Sequence, residues 1–585
     1  VGCGFGDPLA RLKSLYTLIL EELEVSVMRK PRSDKMGWIL RTLIRSGGYT
    51  DYDLQRPIIE IVNTWSEWNP GHNHLRMMAE AVKRGVWAAG GFPIECNTIS
   101  LCPGQSLPNR NLLALQMESM ICGVGGERDP APYAEPADAV VFICSCDKDV
   151  PALLMAAARI NLPSIFVLGG SMFPGNWKGE PVVCCTDAQR LQRDLRAGII
   201  TQRDWIEFQN CVMPCSGACG PMGTANTMQS LAEALGMALP WSASVPAVMA
   251  EAYRRAEESG RKIVELLEED VRPRDVMTEE AIENAIRVLM ALGGSTNAVI
   301  HLIAIARQLD IDLSLERFEE ISRKTPFIVD VKPSGRYSAT DVYSAGGIPA
   351  VMKQLEPLLN LDVITVTGKT LKENLSKAEV KDPRVIRPID DPILPEGGLA
   401  ILKGNLAPEG AVLKHSASIN RELLQHEGPA MVFDSPRDAY SRLMSENLEV
   451  TEDHVLILRY QGPKGACMPE TGPLPIPTVL AKKGVEDMLR ITDARMSGTN
   501  FGTIVLHVSP EAYVGGPLAV VEDGDIVKLD FKGRRLEVEL TQSEINERLE
   551  RWSPPEPGYN YKRGPHALWY KFCTQAHEGC VYSFM

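Results

Sequence analysis

The chain is poor in several features, and each absence narrows the reading. It has no long hydrophobic run. Stretches such as Ala139–Cys144 are far short of the ~18 apolar residues that cross a bilayer, so no membrane span is expected. It has no basic excess. Its 61 Lys+Arg against 75 Asp+Glu leave a net charge of −14, which argues against nucleic acid as a main partner. Its 14 cysteines among 585 residues are too sparse for a disulfide scaffold and suit a reducing compartment, so a cytoplasmic location is expected. There is no internal repeat and no low-complexity tract. No basic stretch leads into an apolar core at the start, so no signal peptide is expected.

What is present is ordinary globular material, with 44% hydrophobic and 23% charged residues. The length allows roughly four domains, or two large ones. Leu15–Val27 reads as a surface helix. Strand and helix then alternate: strands at Pro57–Asn63, Pro93–Ile99, Ala139–Cys144 and Ser164–Leu168, helices at Leu75–Ala89, Asn111–Cys122 and Pro151–Ile160. Such alternation implies a parallel sheet with right-handed crossovers. Ligands of open parallel sheets bind beyond the carboxyl ends of the strands, which directs attention to Thr64–Asn73, Ser100–Leu107, Ser145–Asp149 and Gly169–Asn176. From Met222 to Thr325 the pattern is mainly helical, interrupted at Gly293–Asn297. Near residue 380 short apolar runs separated by Gly, Pro and Asp take over, and Glu522–Asp525 reads as a hairpin turn. The expected fold class is α/β: an N-terminal domain over 1–380 with a parallel sheet, and a β-rich, barrel-like domain over 381–585. The boundary is placed within Lys377–Arg387.

Eleven of the cysteines lie between Cys3 and Cys219. Cys146-Asp147-Lys148 follows a buried strand, a poor place for packing residues and a good one for a site. Cys211, Cys215 and Cys219 precede a helix, and soft thiolates select zinc or iron–sulfur centres. Their spacing matches neither a zinc knuckle nor a ferredoxin run. Gly465–Glu470 and Asp493–Thr499 are Gly-flanked polar segments. Gly368-Lys369-Thr370 lacks the upstream glycine of a P-loop, because Val363 holds that position, so no nucleotide site is expected there. His72, His74 and His301 lie in or near the site loops.

Taken together, these segments resemble the dihydroxy-acid and sugar-acid dehydratase family, which includes the branched-chain biosynthetic dehydratase and the phosphogluconate, arabinonate and xylonate dehydratases. The matching pieces are Asn63-Thr-Trp-Ser-Glu67, Lys83-Arg-Gly-Val-Trp87, Cys146-Asp-Lys148, Gly223-Thr-Ala-Asn-Thr227, Gly293-Gly-Ser-Thr-Asn297, Val366-Thr-Gly-Lys-Thr370, Gly404-Asn-Leu-Ala-Pro408, Met468-Pro-Glu470 and Asp493-Ala-Arg-Met-Ser-Gly-Thr499. Gln575-Ala-His-Glu-Gly579 and the Trp65 loop look more like the sugar-acid branch. The resemblance implies a hydro-lyase that turns an aldonic or other 2,3-dihydroxy acid into a 2-keto-3-deoxy acid. It also implies an iron–sulfur cluster, 2Fe-2S rather than 4Fe-4S, together with Mg²⁺, and a homodimer or homotetramer. Carried over by residue, Cys146 and Cys219 are cluster ligands, while Asp147, Glu470 and a carbamylated Lys148 are magnesium ligands. Ser497 is the base that takes the C2 proton, and Thr499 contacts substrate.

Two positions depart from the pattern. Asn69-Pro70-Gly71 stands where the family has Asn-Pro-Cys, and Leu101-Cys102-Pro103 where it has Leu-Gly-Glu. One cluster thiol and one magnesium carboxylate are therefore missing. Cys102 and His72 are the candidates to replace the lost ligand. The alternatives are a magnesium-only or otherwise re-metallated enzyme, and a non-catalytic paralogue.

Overall fold

The computed structural model describes residues 38–101, 107–122, 137–471, 474–557 and 559–585. The helix expected at Leu15–Val27 lies outside them, as do Cys102 and Pro103. Four parallel strands, β1 (Ile58–Asn63), β2 (Phe92–Asn97), β3 (Ala139–Cys144) and β4 (Ser164–Leu168), form a sheet in the order β2-β1-β3-β4. β3 is apolar along its whole length and buried at every residue, as a central parallel strand covered on both faces must be.

The helices Leu75–Ala88 and Ala250–Glu269 make the tightest helical contact on this sheet, and two glycines set their approach. A Cβ on Gly85 would run into the carbonyl oxygen of Glu257, and one on Gly260 into that of Val82. Both neighbours are backbone and cannot swing away. Gly260→Ala is therefore expected to lower the unfolding free energy by about 1–3 kcal/mol, the range for overpacking, despite alanine's better helix propensity. Denaturant titration checks this, and a neutral or stabilising result would contradict it.

A small antiparallel pair, β5 (Gly175–Trp177) and β6 (Glu180–Val182), leads into Cys184. The helical stretch that follows includes Thr224–Ala234, Glu279–Leu292 and Asn297–Gln308. The break between the last two is set by Gly293, which ends the first of them with φ +52.

The second half closes a mixed eight-stranded barrel. Its strands are β7 (Ala400–Gly404), β8 (Ala407–Leu413), β9 (Gln425–Phe433), β10 (Val455–Leu458), β11 (Arg490–Thr492), β12 (Ile504–Ser509), β13 (Ile526–Asp530) and β14 (Arg535–Val538). They run in the order β10-β11-β12-β8-β7-β14-β13-β9. Leu402, Leu413, Ile457, Ile491, Val505 and Leu536 come from strands around the ring yet share one apolar cluster, so the barrel is filled by side chains. The expected hairpin turn at Glu522–Asp525 is corrected. A turn does form there, with Gly524 at φ +91 and the Asp525 carboxylate accepting from the Glu522 amide, but no strand precedes it. Phe531–Arg534 instead connects the paired strands β13 and β14.

Candidate active site

The loops beyond the carboxyl ends of the sheet are tied to one another by backbone hydrogen bonds. Thr64 N–H donates to Ile143 O (3.2 Å), and Gly217 N–H to Pro70 O (2.9 Å). His74 Nε2 lies 2.7 Å from Gly169 O. These bonds bring Asn69–His74, Cys146–Lys148, Gly169 and Gly217–Cys219 to one place, and two segments from the barrel half complete it.

At the centre is a charge cluster, with Lys148 buried and Asp147 and Glu470 part-buried around it. Lys148 ends the loop after β3 and is wholly buried. Its Nζ lies 3.8 Å from Asp147 Oδ2 and 3.7 Å from Glu470 Oε1, with no hydrogen-bond partner among the described residues. Glu470 Oε1 accepts from Arg495 Nη1 (3.0 Å) and Asn297 Nδ2 (2.9 Å). Arg495 also donates from Nε to Met468 O, so the two motif segments of the barrel half hold each other. Burial pushes the Asp147 carboxyl up to about 6, against Lys148, which pulls it down. Burial acts the same way on Glu470, but Lys148 and Arg495 outweigh it and hold that carboxyl below its usual range. The donor set, two carboxylates around a lysine, suits a hard cation once the amine is no longer positive.

Ser497 lies in the turn just after Arg495, which pairs with Glu470. Its Oγ is 2.8 Å from Thr499 Oγ1, and the Thr499 carbonyl accepts from Thr186 Oγ1 (2.7 Å). A Cβ at Gly498 would strike the Ser295 hydroxyl, and one at Gly223 would stand 2.6 Å from Thr499 Cγ2. The 497–499 turn is therefore seated directly on the Gly223–Thr227 and Gly293–Asn297 motifs.

Beneath it lies Lys414, just past β8, buried and 3.5 Å from Gly498 O. Burial alone lowers its pKa to about 7. The sign follows. Below pH 7 the amine is charged in both folded and unfolded chains, and folding bears the full desolvation cost. Between pH 7 and 10.5 only the unfolded chain keeps the proton, so stability rises with pH. Lys414→Met is therefore expected to stabilise the protein by on the order of a few kcal/mol at or below pH 7. That gain should shrink towards pH 10. Unfolding titrations at two pH values check it, and a gain that grows with pH would contradict it.

The cysteines arrange themselves differently from the expectation. Cys184, Cys185 and Cys219 gather with their sulfur atoms within 4.8 Å of one another. Cys184, then Cys219, lower the Cys185 thiol to about 3, while Cys184 and Cys219 are pushed up by their neighbouring thiols. Cys185 also lies against the Thr499 side chain, and it pushes upward on both Asp147 and Glu470, though Lys148 and Arg495 still keep Glu470 low. Cys215 stays outside the group and accepts from the Phe173 amide, and Cys211 bonds to Phe208 O. A Cβ at Gly71 would stand 2.6 Å from Cys146 Sγ, so position 71 does face Cys146 as the resemblance implies, but glycine supplies no thiol. Of the expected cluster cysteines only Cys219 joins the triad, and Cys184 and Cys185 were missed. Their adjacency was the available signal, and it carried no known ligand spacing.

His72 does not offer a free ligand atom. Its Nδ1 faces Thr64 O (2.6 Å) and its Nε2 the carboxylate of Asp149 (2.8 Å), so both ring nitrogens are donors to acceptors. Burial alone would lower its pKa, but Asp149 outweighs that and raises it. His301 Nδ1 accepts from Arg110, and burial, then Arg110, holds its pKa far down. His74 is lowered to about 4, mainly by burial.

Comparison with known proteins gives the family. Residues 56–374 match the dihydroxy-acid/6-phosphogluconate dehydratase N-terminal family and residues 384–580 its C-terminal counterpart. Across 94% of this chain and 95% of its own length, a Rhizobium meliloti protein named putative dehydratase IlvD1 is 44% identical. Dihydroxy-acid dehydratases of Acetivibrio thermocellus (44%, covering 92% of this chain and 97% of that one) and Pyrococcus furiosus (44%, 88% and 92%) are similarly close. The chain belongs to the dihydroxy-acid/6-phosphogluconate dehydratase family and is a hydro-lyase. The expected lean towards the sugar-acid branch is not what these names support. The three soft sulfur donors are compatible with the iron–sulfur cluster typical of the family. No helix among the described residues is long and apolar enough to cross a membrane.

Proposed function

We propose that this enzyme removes water from a 2,3-dihydroxy carboxylic acid to give a 2-keto acid, with a dihydroxy monocarboxylic acid ahead of an aldonic acid as substrate. The observation that carries it is the Ser497–Thr499 hydroxyl pair in the turn just after Arg495, which pairs with Glu470 beside Lys148 and Asp147, with Cys185 against Thr499. The substrate order rests on the names of the relatives above. Asp147, Glu470 and a carbamylated Lys148 would hold Mg²⁺, and cysteine thiolates including Cys219 an iron–sulfur cluster. When bound, these groups supply Lewis acidity at the carboxylate, the 2-hydroxyl and the leaving 3-hydroxyl.

The chain's own residues do the rest. Arg495 and Asn297 fix Glu470, so that carboxylate cannot swing into the substrate space. Thr499 orients the Ser497 oxygen, which takes the proton from C2. A serine hydroxyl is a weak base, and the surrounding positive charge, including Arg495 and whatever cation the carboxylates hold, favours its anionic form. Elimination then leaves an enol that becomes the 2-keto acid. The same family resemblance carries a homodimer or homotetramer, which sedimentation at micromolar concentration tests.

The test of function is a semicarbazide assay for 2-keto product on anaerobically purified protein, over branched and straight 2,3-dihydroxy acids and C5 and C6 aldonic acids. Keto product from a dihydroxy monocarboxylic acid is expected. Turnover confined to aldonic acids would move the substrate class, and no turnover on any of them would reject the reading.

A further inference from the structure

The loss of the cysteine at position 71 stands beside a second feature, a strained turn at Cys185. Its φ of +64 and ψ of −59 belong to a γ-turn, closed by Thr186 N–H donating to Cys184 O (2.8 Å). This conformation is rare for a residue with a side chain and costs on the order of 1–3 kcal/mol. In extended backbone, neighbouring side chains point to opposite sides. Here the turn folds both thiols of an adjacent pair to one side, with the sulfurs 3.8 Å apart. Sulfur ligands at ~2.3 Å from a tetrahedral ion stand about 3.8 Å from each other. The pair already has the spacing of two ligands on one ion. Cys219 completes a three-sulfur face that is largely shielded from solvent. The Gly71 side offers no comparable set, since glycine carries no donor there.

We propose that Cys184, Cys185 and Cys219 hold this chain's iron–sulfur cluster, as a ligand set separate from the Gly71–Cys146 position, with the adjacent pair on a single iron. The inference rests on the dehydratase reading for the identity of the metal group. The geometry of the three sulfurs stands apart from that reading. Cys185 also touches the Thr499 side chain, so the ligand set lies within one residue of the Ser497 base. Thiols lose their protons on binding, so loading releases acid and is weaker at low pH.

The experiment measures iron, acid-labile sulfide and the visible spectrum of anaerobically prepared full-length protein, wild type and single serine variants. Cys184→Ser, Cys185→Ser and Cys219→Ser are each expected to lose about tenfold or more in iron and sulfide retention, together with the thiolate-to-iron absorption. Circular dichroism shows whether each variant folds. Alkylation mapped by mass spectrometry covers the case where one does not. In the loaded wild type Cys184 and Cys185 should resist iodoacetamide, and chelation should expose both to it. Full iron and sulfide in Cys184→Ser and Cys185→Ser, with loss confined to Cys146→Ser and Cys219→Ser, would overturn the proposal. So would equal labelling of Cys184 and Cys185 with and without chelator, or zinc without sulfide in the wild type. None of these readouts needs substrate. A cluster on these three cysteines without turnover would therefore reject the function and keep the ligand set.

Discussion

Replacing Ser497 with alanine is expected to cut turnover by about 10²–10⁴-fold, the usual contribution of a positioned acid–base group, with fold and metal content unchanged. Ser497 is half-buried, and its side chain bonds only within its own turn, to Thr499, so removing one oxygen leaves no distant donor stranded. The measurement that isolates the role is exchange of the substrate C2 hydrogen with deuterated solvent, which reports proton removal before water is lost. Exchange should vanish together with turnover. A loss below about tenfold is too small for a base. Persisting exchange would transfer the role elsewhere, and the structure leaves few candidates. His72 is bonded at both ring nitrogens, His301 accepts from Arg110, and His74 faces the Gly169 carbonyl.

Lys148→Met carries the second large effect. In the metal-free chain the Lys148 ammonium is the cation nearest Asp147, and it shares Glu470 with Arg495. Breaking a buried ion pair from one side costs about 3–5 kcal/mol, so the metal-free variant should unfold at markedly lower denaturant. Magnesium affinity should fall by at least about tenfold, since the variant has no amine to carbamylate. Lys148→Arg separates the two roles. It restores a cation, and with it much of the metal-free stability, but forms no carbamate and should still fail to bind magnesium. If Lys148→Arg bound magnesium as wild type does, the lysine would be a structural partner only.

The parallel sheet was legible because β3 is an unbroken apolar run and β4 is apolar after Ser164, both of them short and alternating with helices. The barrel was legible as β-rich, but two of its strands leave little trace in the sequence. β11 spans only three residues, Arg490–Thr492, and β8 contains Pro408, Glu409 and Gly410, which read as a turn when neighbours are ignored. The charge cluster of the site was readable as motifs, because chemistry restricts residue type there. The sulfur set was not. What joins Cys184, Cys185 and Cys219 is a positive-φ turn and a long-range approach, and neither leaves a spacing rule in the chain. The lean towards the sugar-acid branch, which the names of the relatives do not support, rested on segments of another kind. Trp65 donates to Asn73 O and lies under Arg76, and Gln575 donates to Glu511, so both segments do packing work that says little about substrate.

The seat of the 497–499 turn has a consequence for recombination. Its glycine presses on Ser295, its threonine on Gly223, and its carbonyl takes the Thr186 hydroxyl, so the barrel half inherits its site geometry from three loops of the other half. A chimera joining this barrel to the front half of a relative would pair surfaces cut to different shapes. Such hybrids should fold as two sound halves and still misplace Ser497, unless the 184–186, 223–227 and 293–297 loops travel with the barrel. For this enzyme the unit of inheritance is the interlocked seam, and neither half alone carries the reaction.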